Sequence, residues 1–204
     1  MRILNLYPGG YAANCYLVTQ GDAAVLVDCT ASTEAVKAAL HDTGTALCAI
    51  LLTHAHFDHM LTLDTVRAAT NAPIYLMSGD EDLPGDGQKN AHAIFFGTSR
   101  TYPTPDQLLQ AGDVLTFGEL SFRAMSTPGH TRGSALYVID HAAFTGDTLF
   151  ANGFGRYDLY GGDAVALSHS LASIAKLPPD TVIYPGHGEA APLFTALDAI
   201  KGFI

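Results

Sequence analysis

The order of strand and helix signals predicts an α/β chain: two β-sheets packed face to face, with helices on the outside. Three observations predict it. Each half of the chain begins with strand and turn signals and closes with alternating helix and strand. The strongest strands, such as the run Ala49-Ile50-Leu51-Leu52, are short and apolar. The 204 residues, 48% hydrophobic and 15% charged, are enough for one sizeable core. With no sequence repeat and no linker-like stretch, residues 1–204 read as a single domain.

The elements follow in order. Ile3 to Leu6 reads as a short strand and Pro8-Gly9-Gly10 as a turn. Cys15 to Thr19 and Ala23 to Asp28 read as a hairpin around Gln20-Gly21-Asp22. Ser32 or Thr33 can cap a helix running to about Leu40. Cys48 to Thr53 is a buried strand, Asp58 to Thr70 a helix and Pro73 to Met77 a strand. Residues 78–106 are rich in Gly, Asp and Pro and read as a long irregular insert, with a short helix around Gln88 to Phe96. Such a segment commonly serves as a binding loop or lid, which places His92 within reach of a substrate. Val114 to Phe117, Leu120 to Met125, Ala135 to Ile139 and His141 to Thr145 restore the strand rhythm. Asp163 to Lys176 is an amphipathic helix ended by Pro178-Pro179. Thr181 to Tyr184 is a last strand and Ala191 to Ile200 a closing helix.

Asp and Glu outnumber Lys and Arg by 20 to 10, a formal net charge of −10. This disfavours nucleic acid and anionic membrane surfaces as partners. No apolar run approaches the roughly 18 residues of a membrane span, and no signal-peptide pattern opens the chain. Cys15, Cys29 and Cys48 form no CxxC pair and read as buried core residues in a reduced, cytoplasmic setting.

The chemistry concentrates in His54-Ala55-His56-Phe57-Asp58-His59, where three of the nine histidines and an aspartate follow a buried strand. Three further candidates sit in loops that follow strands: His130 after Gly129, Asp147 after Gly146 and His187 after Gly186. In extended backbone, residues two apart point the same way, so His54 and His56 can grip one ion. Asp58 and His59 can converge on a second ion at a strand-to-helix turn. One carboxylate can bridge, so Asp147 with three ligands on each side accounts for all seven candidates. This N/O set suits two divalent ions, zinc first and iron or manganese next. A water shared by the pair would have its pKa lowered to about 7 and become a hydroxide nucleophile.

These residues resemble the metallo-β-lactamase superfamily, and within it the glyoxalase II-like hydrolases. The family's HxHxDH pattern is present at His54 to His59, and its later ligands match His130, Asp147 and His187. The resemblance implies a four-layer αββα sandwich (the metallo-β-lactamase fold). It assigns one metal to His54, His56 and His130, the other to Asp58, His59 and His187, and the bridge to Asp147. It implies a hydrolase in which a metal-bridging hydroxide attacks a small thioester, most like a hydroxyacylglutathione, with Asp58 and Asp147 in catalytic roles. Arg156, beside Tyr157, is the substrate contact it suggests, the alternative being an arginine in a surface salt bridge. The chain ends at Ile204, so the C-terminal helical glutathione-binding domain of the longer family members is expected to be missing. Persulfide dioxygenases, with one iron on counterparts of His54, His130 and Asp147, share the pattern. Lactone, β-lactam and phosphodiester hydrolases share the scaffold.

Overall fold

Alternation along the strands divides the apolar side chains between two faces, because successive residues of a strand point to opposite sides of its sheet. The computed structural model describes residues 1–203. The first sheet runs in the order β1 (Arg2–Asn5), β2 (Tyr16–Gln20), β3 (Ala23–Val27), β4 (Ala46–Leu51), β5 (Ile74–Met77) and β6 (Gln107–Leu109). The second holds β7 (Val114–Phe117), β8 (Leu120–Ser126), β9 (Ala135–Ile139), β10 (Ala142–Gly146), β11 (Val182–Pro185) and β12 (Ala191–Pro192), again in sequence order across the sheet.

Val18, Val25, Val27, Ala49 and Leu51 meet Phe122, Tyr137 and Phe144 in the core between the sheets. The alternate residues Leu17, Leu26 and Ile50 face outward, against Val36 of α1 (Thr33–Thr43) and Leu63 and Val66 of α2 (Leu63–Thr70). On the far side, Leu136 and Ala143 face α4 (Ala164–Ile174) and α5 (Leu193–Ile200) through Leu167, Leu171 and Ala196. The result is the expected αββα sandwich. Burying each large apolar side chain contributes roughly 1.5–3 kcal/mol. No helix among the described residues is long and apolar enough to cross a membrane.

Three segments depart from the sequence reading. The helix expected from Asp58 begins instead at Leu63, preceded by a tight 3₁₀ turn at Phe57–His59. Thr62 interrupts the helix: its hydroxyl donates to the carbonyls of Ala31 at 2.7 Å and Cys29 at 3.2 Å. Residues 78–106 hold the expected short helix, α3 (His92–Phe96), together with an unexpected 3₁₀ turn at Ser78–Asp80. β6 follows them, a strand with no signal strong enough to find it. The last helix starts at Leu193 because Ala191, restricted to extended backbone by Pro192, pairs with Ile183 of β11.

In the second sheet β8 runs antiparallel to β9, β9 to β10, and β10 parallel to β11. The strands β8, β10 and β11 therefore end at one edge. His130, Asp147 and His187 lie in the loops leaving that edge.

Candidate metal centre

All seven expected ligand residues converge. The strand-end loops are held by backbone bonds between neighbours: Gly186 N–H donates to Gly146 O at 2.8 Å, and Asn14 N–H donates to Gly186 O at 2.6 Å. Gly186 is obligatory here, since a Cβ at that position would strike the Asp147 carboxylate and the His59 ring.

Three ring nitrogens crowd one point. His130 Nε2 lies 2.9 Å from His56 Nδ1 and 3.2 Å from His54 Nε2. His130 Nδ1 donates to the Arg156 carbonyl at 2.6 Å, which leaves the Nε2 lone pair facing the site. Burial, reinforced by the neighbouring histidines, holds His54 well below the usual imidazole range. Burial, then His130, holds His56 at about 3. Both rings are therefore neutral at physiological pH and present lone pairs.

The second cluster carries the charge. Asp58 Oδ2 lies 3.1 Å from His187 Nε2. Burial pushes Asp58 up, but the His187 hydrogen bond together with the charges on His59 and His187 offsets it and holds the carboxylate below its ordinary range. Asp147 spans the two clusters: its Oδ1 is 3.2 Å from His59 Nε2, and its Oδ2 is 3.8 Å from His130 Nε2 and 3.7 Å from His187 Nε2. Burial opposes the Asp147 charge, yet His59 and then His130 keep it ionised well below the usual carboxylate range. Burial likewise opposes a charge on His59, but Asp28 and Asp147 outweigh it and raise that ring well above the imidazole range.

This donor set fits divalent cations. His59 Nε2 and Asp147 Oδ1 are buried with no hydrogen-bond partner among the described residues, an expensive arrangement that a cation between them would resolve. Three overlapping groups have donor atoms within 4.8 Å of one another: His54/His56/His130, His54/His59/Asp147 and Asp58/His59/His187.

Sequence reasoning missed two buried carboxylates behind the ligands. Asp28, at the end of β3 with a left-handed φ of 57°, accepts from Thr53 N–H at 2.8 Å and sits 2.8 Å from His59 Nδ1. It thereby turns His59 Nε2 toward the site. Asp80 accepts from Ala55 N–H at 3.1 Å, Thr131 Oγ1 at 2.8 Å and Gly133 N–H at 2.7 Å, so it joins the His54–His56 loop to the His130 loop. The one available signal was Asp28 directly after an apolar strand, which also describes an ordinary turn residue.

A cavity of about 250 Å³ opens onto His56, Asp58, His130 and Asp147. Arg156 lines it and is also in a salt bridge, with Nε 2.6 Å from Asp158 Oδ1 and Nη2 2.8 Å from Oδ2. Tyr157 is not among the lining residues, and its ring stacks toward Phe203 at 6.4 Å. His92 lies behind the wall, its ring 5.0 Å from Phe96 and its Nδ1 2.6 Å from Thr98 O. The remaining histidines His41, His141 and His169 are exposed.

The sequence pattern of the metallo-beta-lactamase superfamily matches residues 8–187. Hydroxyacylglutathione hydrolase of Brucella ovis is 36% identical over 155 residues, covering 75% of this chain and 52% of its own. The crystal structure of the BLEG-1 B3 metallo-beta-lactamase superposes with a TM-score of 0.88 at 33% identity, covering 97% of this chain and 96% of that one. TTHA1623 in a di-iron-bound form gives 0.80 at 34% identity, with 96% of each chain covered. With its αββα sandwich and a strand-end cluster of histidines and aspartates able to hold metal, the chain belongs to the metallo-beta-lactamase superfamily of metal-dependent hydrolases.

Proposed function

We propose that this protein is a dinuclear metal-dependent hydrolase of small thioesters, most like a hydroxyacylglutathione hydrolase. The observation that supports it is the position of Asp147, within 3.8 Å of a nitrogen donor from each cluster. On this reading His54, His56 and His130 hold one ion, Asp58, His59 and His187 the other, and Asp147 touches both. The likeness to a di-iron protein and to a hydroxyacylglutathione hydrolase supports the metal count and the thioester in turn. Zinc is the first choice of metal, iron or manganese the next.

Two bound ions would act as Lewis acids and lower the pKa of a coordinated water to about 7. The chain's own groups do the rest. Asp58 Oδ2, 3.1 Å from His187 Nε2, would converge with that ring on the second ion, and the other Asp58 oxygen can orient the attacking water. The neutral His54 and His56 keep their lone pairs at physiological pH, so little proton competition opposes metal binding at their cluster, whereas His59 must give up a proton to bind the second ion. Hydrolysis places the water oxygen on the acyl carbon, and the C–S electron pair leaves with the thiolate. A thiolate is a good leaving group, so no dedicated general acid is required.

Residues 1–204 would act as one domain on a small-molecule substrate. The free thiols of Cys15, Cys29 and Cys48 fit a reducing, cytoplasmic setting.

Zinc-loaded protein should convert S-lactoylglutathione to glutathione and lactate in equal amounts, followed by thiol release and product chromatography. No turnover by protein carrying both ions rejects this substrate. The BLEG-1 likeness supports a second reading, β-lactam opening, which requires faster turnover of a β-lactam than of the thioester. One iron per chain with oxygen uptake on glutathione persulfide would point instead to a dioxygenase.

A further inference from the structure

The hydrolysis just described uses none of the aromatic side chains around the mouth of the centre. Tyr11 is 59% exposed, Phe95 53% and Phe96 46%, yet all three line the cavity that reaches Asp147. Phe57, buried beneath them, supports the wall with its ring 5.6 Å from Phe95 and 5.4 Å from Phe96. Phe96 in turn meets Tyr11 at 5.4 Å. Exposed apolar surface gathered beside polar ligand groups marks a binding surface.

Charge and size narrow the occupant. Arg156 is the only Lys or Arg on the lining, and Asp158 already neutralises it through two short hydrogen bonds. The two carboxylates of a glutathionyl group find no free cation there. A cavity of about 150 Å³ is known to take benzene. The 250 Å³ here holds a ring and a reacting ester group, but not a tripeptide as well. The wall rings are tilted 48–86° to one another, the arrangement aromatic groups adopt when they pack.

The geometry points to a subsite, formed by Tyr11, Phe95 and Phe96 over Phe57, for an aromatic acyl group of the thioester. The thiol part then lies outside the cavity. This inference rests on the thioester reading for its reaction, though not for its binding site.

The test compares phenylacetyl and acetyl thioesters of one small neutral thiol, N-acetylcysteamine, with the zinc-loaded full chain. The expected kcat/KM is at least about tenfold higher for the phenylacetyl ester. Phe96→Ala and Tyr11→Ala, both at exposed positions, should bring that ratio close to one. Saturation-transfer NMR should also show phenylacetate bound to the wild type and much less to Phe96→Ala. Equal kcat/KM for the two esters in the wild type overturns the subsite, as does a ratio unmoved in both variants. Hydrolysis of neither ester rejects the thioester reading alone. Phenylacetate binding then decides the subsite: binding lost in Phe96→Ala upholds it, and no binding to the wild type overturns it.

Discussion

Asp147→Asn should lower thioester kcat/KM by about 10³-fold, equivalent to about 4 kcal/mol of lost transition-state stabilisation. The substitution keeps the side chain's shape and removes its charge. Asp147 is the carboxylate within reach of both clusters, with Oδ1 at 3.2 Å from His59 Nε2 and Oδ2 at 3.7 Å and 3.8 Å from His187 and His130. An amide offers one neutral oxygen and an NH₂ group that repels a cation, so it cannot serve two ions. Metal analysis of the purified variant should find less than the wild-type content, falling together with activity. Wild-type metal content and activity in Asp147→Asn would remove this residue from the centre.

The second large effect is expected at Asp28, which touches no substrate. Asp28→Ala strands the Thr53 N–H and the His59 ring in a site where Asp28 is 2% exposed and His59 is fully buried. Breaking a buried charged contact of this kind destabilises by about 3–5 kcal/mol. At about 2–4 °C per kcal/mol, the melting temperature of the metal-free protein falls by roughly 10 °C. Asp28→Asn separates folding from metal binding. Asparagine tolerates the left-handed φ of 57°, and its carbonyl can still accept from Thr53. Its NH₂, however, would donate to His59 Nδ1 and force the proton onto Nε2, the atom that faces the site. The expected result is a smaller loss of stability with metal affinity weakened about 10–100-fold. Unchanged metal affinity in Asp28→Asn would mean that Asp28 is structural only.

The fold and the ligands were legible for the same reason. Period-two alternation in Leu17-Val18 and Val25-Leu26 decides which face of the sheet each residue covers, and that signal is local. His54 to His59 is local too, and His130, Asp147 and His187 are marked by strand-end glycines even though they lie far apart in sequence. What stayed hidden depends on contacts between distant segments. Asp28 reaches His59 across 31 positions, and Asp80 reaches Gly133 across 53. The Tyr11–Phe96 contact joins a loop to α3, far along the chain. The helix break at Thr62 was missed because a threonine hydroxyl reaching back to Ala31 has no periodic signature.

On the proposed reading, these seven side chains hold two ions that act together. Stepwise zinc titration of metal-depleted protein, with hydrolysis followed at each addition, tests it directly. The expected result is saturation at two zinc ions per chain, with full activity only as the second is taken up. Saturation at one ion per chain with full activity would contradict it.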